Sequence, residues 1–174
     1  IIDLSGISSL EGIKSESDEL VIGALTNHDE VATSALVSSE IPSIAKLASN
    51  IGDAQVRNRG TIGGSIANSD PAADYPAAVL GLDATLVTNK RQIKADDFFV
   101  DMFETALEDG EILQEVKFPK PDISVYKKLP NPASRYAVVG VFLARRNGQV
   151  RVAITGAAPS VFRAAELESR LTES

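Results

Sequence analysis

The run Gln55-Val56-Arg57-Asn58-Arg59-Gly60-Thr61-Ile62-Gly63-Gly64-Ser65-Ile66-Ala67-Asn68-Ser69-Asp70-Pro71-Ala72-Ala73-Asp74 concentrates the unusual chemistry of this sequence. Three glycines fall within five positions, at 60, 63 and 64. Glycine has no Cβ, so it admits positive φ and lets another group approach the backbone closely. Residues 52–68 therefore read as a loop in which the Thr61 and Ser65 hydroxyls and nearby N–H groups form a polar concavity. Such a nest suits a phosphate or the hydroxyls of a nucleotide. Asp74 lies nine residues after Ser65 and returns to the same place from a helix beginning near Pro71, as an acceptor for ribose or ribityl hydroxyls. Arg57 and Arg59 bring positive charge. A plain glycine-rich turn, with solvated arginines and Asp74 as an early helix acid, explains the same composition. The spacing Gly-Thr-Ile-Gly-Gly is not the Gly-x-Gly-x-x-Gly of a dinucleotide-binding turn, and no Lys follows the glycines as a P-loop requires.

Upstream, segments 1–4 and 20–22 read as short strands, with the polar run 14–18 as the turn before the second. Thr26-Asn27-His28-Asp29-Glu30 is a helix start, with capping side chains and first-turn acids ahead of Val31, Ala35 and Leu36. His28 reads there as a capping or surface residue. A second helix is expected over 39–51 with Pro42 in its first turn. Downstream, 84–87 and 92–94 read as strands around a Thr88-Asn89-Lys90 turn, and 96–107 is ambiguous between helix and irregular structure. Residues 112–118 alternate as an edge or half-buried strand, ending in the stiff Pro119-Lys120-Pro121 link. Three strands follow at 124–129, 136–145 and 149–155, the last two joined by Asn147-Gly148, a strong hairpin signal, and then an amphipathic helix over 161–171. The architecture is α+β, with a domain boundary at 120.

Composition closes off much chemistry. With 174 residues, 44% of them apolar and 24% charged, the chain is ordinary globular material. It has no cysteine and a single histidine, so thiolate metal sites, iron–sulfur ligation and multi-histidine sites of its own are excluded. Seventeen basic residues against 24 acidic give a net charge of −7, which disfavours nucleic acid or an anionic membrane as partner. The apolar runs are too short for a transmembrane segment. Adjacent acids such as Asp96-Asp97 do not form a converging pair, so no catalytic residue is assigned.

The run 55–74 resembles the signature of the FAD-binding medium subunit of molybdenum hydroxylases, the carbon monoxide and xanthine dehydrogenase type. Other segments agree in order: Val21-Ile22-Gly23-Ala24-Leu25-Thr26, residues 80–86, Phe103-Glu104-Thr105-Ala106-Leu107, Gly110-Glu111-Ile112-Leu113, then Tyr126-Lys127-Lys128 and Tyr136-Ala137-Val138-Val139. The resemblance implies a PCMH-type FAD-binding fold of α+β class with a mixed sheet and helices over 1–120, and over 121–174 the start of an antiparallel sheet-plus-helix C-terminal domain.

The resemblance also implies roles. Thr61, Ile62, Gly63, Gly64 and Ser65 match the family's second FAD loop, with Ser65 where many members have Asn. Asp74 matches a cofactor-contacting carboxylate, and Leu113 and Lys128 match positions near the flavin, with Lys127 as the alternative register. Phe103 falls where some relatives place an aromatic near the isoalloxazine, a core phenylalanine being the plain alternative. Electrons would reach FAD from [2Fe–2S] clusters on a small subunit, substrate being oxidised at a molybdopterin centre on a large one, in the cytoplasm. The family's earlier Ala-Gly-Gly-x-Ser motif does not occur in this sequence, and the C-terminal domain looks short, so truncation at both ends and weak or absent FAD retention are expected. A folded docking module without FAD, or another PCMH-type flavoenzyme, are the other readings.

Overall fold

The computed structural model describes residues 2–172; Ile1, at the head of the expected strand 1–4, and Glu173 and Ser174, at the end of the expected second domain, lie outside the described residues. A 3-10 turn (Ser8–Leu10) leads into β1 (Ile13–Glu16) and β2 (Glu19–Gly23). Six helices follow: α1 (His28–Thr33), α2 (Ala35–Glu40), α3 (Pro42–Ser49), α4 (Ala54–Arg59), α5 (Ile62–Asn68) and α6 (Tyr75–Gly81). Next come β3 (Thr85–Thr88), β4 (Gln92–Lys94), the short α7 (Ala95–Phe98), β5 (Phe99–Asp101), β6 (Glu104–Thr105) and β7 (Leu113–Pro119). The chain continues with β8 (Ile123–Pro130), β9 (Ala137–Arg146), β10 (Gln149–Thr155), β11 (Phe162–Arg163) and α8 (Ala165–Thr172). The fold is α+β, as the sequence pattern implies.

Two main sheets form, in the orders β1-β2-β7-β3-β4 and β11-β10-β9-β8, beside a small β5-β6 ribbon. Every pairing is antiparallel, so the strands of the expected mixed sheet all run against their neighbours. The strand expected as an edge or half-buried strand, β7, proves half-buried and sits in the middle: Val116 lies opposite Ile22 on one side and Leu86 on the other. Its alternation reports one buried face but carries no information about how many partners it has. The Asn147-Gly148 hairpin forms as read, with φ of 51° and 77° at the two turn residues and Arg146 opposite Gln149.

Several local expectations give way to tertiary demands. Residues 2–4 are irregular rather than a strand, closed by an Ile7 N–H donating to Leu4 O at 3.0 Å. Lys14, Ser15 and Glu16 are strand, not turn, because β1 pairs with β2 and leaves these polar side chains to solvent and to ion pairs. The helix expected over 39–51 is broken at Ile41 (φ −138°, ψ 73°), the residue before Pro42, which the proline ring excludes from helical geometry. Segment 96–107 resolves into α7 and the β5-β6 ribbon, and the terminal helix expected over 161–171 forms only as α8, starting at Ala165, with Phe162 and Arg163 pairing with β10 instead. The largest departure is at 52–68, read as a loop and found as two capped helices. Asp53 accepts from Val56 N–H at 2.9 Å to open α4, and Thr61 accepts from Gly64 N–H at 3.1 Å to open α5.

Helices α3 and α6 join the two sheets. All seven residues of α6 are buried, and α6 packs on β9 and β10 while α3 packs on β8. One continuous apolar core therefore contains Leu20, Ile22, Leu86, Val116 and Phe118 of the first sheet together with Tyr126, Phe142 and Ala153 of the second. A charged strap reinforces the join, Arg151 pairing with Asp83 and Asp96 and Arg163 with Asp96 and Glu168. Replacing fully buried Phe142 with alanine should cost about 3–5 kcal/mol. Urea unfolding followed by circular dichroism and tyrosine fluorescence should then shift as one coincident transition; separate transitions would show that the core does not couple the sheets.

Candidate functional site

The segment after β2 runs alongside the glycine-rich stretch and pins it. His28 N–H donates to Gly60 O at 2.9 Å, Ile62 N–H to Thr26 O at 3.0 Å and Gly63 N–H to Ala24 O at 2.8 Å. A Cβ at Gly63 would stand 2.5 Å from the Ala24 Cβ, so only glycine permits this approach. The glycines at 60, 63 and 64 do not take positive φ, contrary to the sequence expectation; what they supply is proximity. α5 turns Ile62 and Ile66 into the core and leaves Thr61, Gly64, Ser65 and Asn68 along a cleft.

The opposite wall is built by the turn before α6. Asp70 accepts from Ala72 N–H at 2.9 Å, and the Thr155 hydroxyl donates to Ala73 O at 2.7 Å, fastening the turn to the end of β10. Asp74 is only 5% exposed. The Tyr126 hydroxyl donates to its carboxylate, and Lys128 Nζ lies 3.0 Å from it. The remaining two donors of Lys128 go to Asn50 O and Arg135 O, each at 2.9 Å, so the ammonium is fully engaged. Burial pushes the Asp74 carboxyl above its ordinary range, while Tyr126 and Lys128 pull it back. Burial beside Asp74 pushes the Tyr126 hydroxyl up, which keeps it a donor.

Between the walls lies a half-open cleft of about 560 Å³, reached also by Arg59, Asp70, Arg135 and Tyr136. Of the sequence-predicted residues, Thr61, Gly64, Ser65 and Asp74 line it together. Ile62 and Gly63 lie beneath, on the buried face of α5. Lys128 reaches Asp74 from a neighbouring groove, and Leu113 is buried within β7. Arg57 turns aside to Asp29 and to Ile51 O. Phe103 is no core residue: it is 58% exposed at the tip of the β5-β6 ribbon, its N–H donating to Ser69 O. A cradle of small residues, four hydroxyls (Thr61, Ser65, Ser134 and Tyr136), the Asn68 amide, two arginines and two carboxylates is a donor and acceptor set that fits the hydroxyls and diphosphate of a nucleotide cofactor. Among the described residues no cluster of His, Asp and Glu could hold a metal ion, and no helix is long and apolar enough to cross a membrane.

Sequence reasoning missed His28, Tyr126 and Tyr136. His28 is not a surface residue: it is 5% exposed, with its ring 5.3 Å from that of Tyr75, and burial holds its pKa at about 4. Its shared face with fully buried Val31, three positions on, is the signal that could have found it. Tyr126 meets Asp74 across 52 residues, which no local pattern announces.

A glycine-tight helix start facing a buried carboxylate across an antiparallel α+β frame is a cofactor-cradling arrangement, and comparison with known proteins places it. Residues 1–121 match the model described as FAD binding domain in molybdopterin dehydrogenase, and the chain belongs to that family. It is 35% identical to the carbon monoxide dehydrogenase medium chain of Hydrogenophaga pseudoflava, covering 98% of this chain and 64% of that one. It is also 35% identical to the glyceraldehyde dehydrogenase medium chain of Sulfolobus acidocaldarius, covering 98% and 65%. The solved carbon monoxide dehydrogenase from H. pseudoflava superimposes with a TM-score of 0.84 over 92% of this chain and 61% of that one, at 35% identity. The chain thus spans somewhat under two thirds of these relatives.

Two outcomes test the site. Lys128→Met leaves Asp74 buried without its cation and should cost about 3–5 kcal/mol in chemical denaturation. Because the His28 pKa is lowered in the folded state, stability should be complete above the unfolded value of 6.5 and fall as pH drops toward about 4. His28→Phe should flatten that slope, and NMR titration of the ring should give a midpoint near 4.

Proposed function

We propose that this chain is the FAD-holding part of a flavoprotein subunit in a cytoplasmic molybdenum hydroxylase or dehydrogenase. Its partners would be a small subunit carrying [2Fe–2S] clusters and a large molybdopterin subunit. Residues 1–120 serve as the FAD-binding domain and 121–174 as part of a C-terminal domain that closes the site. The observation that carries this reading is the convergence of Thr61, Gly64 and Ser65 with Asp74, from two separate chain segments, on one cleft. Family membership supports it, and so does a cysteine-free chain, which leaves cluster chemistry to a partner.

When bound, FAD supplies the electron-carrying chemistry that no side chain of this protein can. The protein's own residues bind and orient. Thr61 and Ser65 offer hydroxyls, Gly64 leaves room for close approach, and Asp74, held by Tyr126 and Lys128, accepts from hydroxyls while staying fixed. Ile62 and Gly63 set the height of the loop against Ala24, and Leu113 backs it from β7. Electrons would enter from the partner's clusters and leave to an external acceptor.

Flavin fluorescence during titration of the protein tests the reading. Saturable binding is expected, weak enough for flavin to be lost on gel filtration because a half-open cleft encloses only part of the ligand. Ser65→Ala should weaken it several-fold, about the effect of one hydrogen bond, and Ser65→Trp, which fills the cleft, should abolish it. Absence of saturable binding, or binding indifferent to Ser65→Trp, would favour a docking module without cofactor.

A further inference from the structure

His28 is the one histidine of the chain and the least explained polar group in it. Its Nδ1 is buried without a hydrogen-bond partner, and the hydroxyl of Tyr75, whose ring it touches, is buried and unpartnered too. Native interiors rarely leave such atoms unpaired, and each one costs free energy that an apolar residue would avoid. A residue kept only to fill space would not need an orphaned polar atom in contact with another residue that carries one.

The other edge of the ring explains more. His28 forms part of the cleft wall, and its Nε2–Cδ2 edge lies against Gly60. A Cβ at position 60 would stand 2.6 Å from Nε2 and 2.8 Å from Cδ2, so a side chain there would press on this edge. Burial keeps the ring neutral at ordinary pH, with one proton for two nitrogens. A proton on Nδ1 would sit unpaired in the interior beside Tyr75, whose own hydroxyl burial keeps protonated. A proton on Nε2 instead presents a donor at the cleft and leaves the buried Nδ1 as a bare acceptor rather than an unpaired donor. The second arrangement is the less costly.

We propose that His28 is a ligand-reading residue of this cleft, donating its Nε2–H to an oxygen on the polar chain of a bound flavin nucleotide. The proposal rests on the reading of the cleft as an FAD site. Two parts of that ligand offer such an oxygen, the diphosphate and the ribityl chain. Arg59, on the same wall, favours the first, and Asp74, next in sequence to Tyr75, favours the second.

Because the histidine is unique, protein labelled with [15N]histidine gives one pair of ring nitrogen resonances without any substitution. Titration with FAD should move the Nε2 resonance saturably, with the midpoint seen by flavin fluorescence. ADP reproducing the shift assigns the diphosphate, and riboflavin reproducing it assigns the ribityl hydroxyls. His28→Phe, which keeps a ring, should bind FAD about tenfold more weakly, the worth of one hydrogen bond; His28→Gln, which keeps a donor, should recover most of the loss. Circular dichroism checks that both variants fold. If fluorescence saturates while the ring resonances stay still and His28→Phe binds like the parent, His28 only packs and the cofactor reading stands. If FAD, ADP and riboflavin all leave fluorescence and resonances unchanged, the cofactor reading falls and the role of His28 falls with it.

Discussion

The buried carboxylate of Asp74 ties together three chain segments around the cleft. An isolated charge in so buried a position would cost several kcal/mol, about the penalty for any unpaired ion taken from water. Tyr126 and Lys128, both on β8, meet it, and Lys128 spends its other donors on Asn50 after α3 and on Arg135 in the β8–β9 connection. One buried ion pair thus fixes the start of α6, the end of α3 and the loop that forms the far wall of the cleft. The same carboxylate lines the cleft. Joining the sheets and shaping the site are therefore one structural problem with one solution.

The glycine-rich stretch solves a different problem. Gly63 and Gly64 stand in capped helical geometry and Gly60 in the extended link between α4 and α5, and the helix penalty for two consecutive glycines in α5, roughly 1 kcal/mol each, is offset by what their absent side chains allow. At Gly63 the backbone comes within contact of Ala24, and at Gly60 it comes against the ring of His28. Three backbone hydrogen bonds between 24–28 and 60–63 then fix the height of Thr61 and Ser65 above the core. A cleft whose wall is set by main-chain bonding needs little rearrangement to receive a ligand, which is how preorganisation favours binding.

Much of this was legible locally. The helix start at Asn27, a proline in the first turn of α3, the strands near 84–87 and 92–94 and the Asn147-Gly148 hairpin follow from side chains acting on their own backbone within a few residues, although a local reading begins α3 three residues before Pro42. So does the α+β class, since the strand and helix periods differ. The two capped helices hidden in 52–68 were not legible, because glycine content argues for a loop while the caps at Asp53 and Thr61 argue for helix, and packing against Ala24 decides between them. The exposed position of Phe103 and the buried one of His28 were likewise set by what packs around them.

By itself, then, the sequence determined which residue types stand where: hydroxyls and glycines at 60–65, a carboxylate at 74, and no cysteine anywhere. Those are properties of composition and spacing, and no fold can add or remove them. Tertiary structure alone decided that β7 is central, that Lys128 is consumed by Asp74, Asn50 and Arg135, that His28 lines the cleft and that Tyr126 bonds Asp74 beside it. The physical reason is range. Capping, turns and alternation act over a handful of residues, whereas Asp74 and Tyr126 are 52 positions apart and meet only because two sheets close on one buried helix.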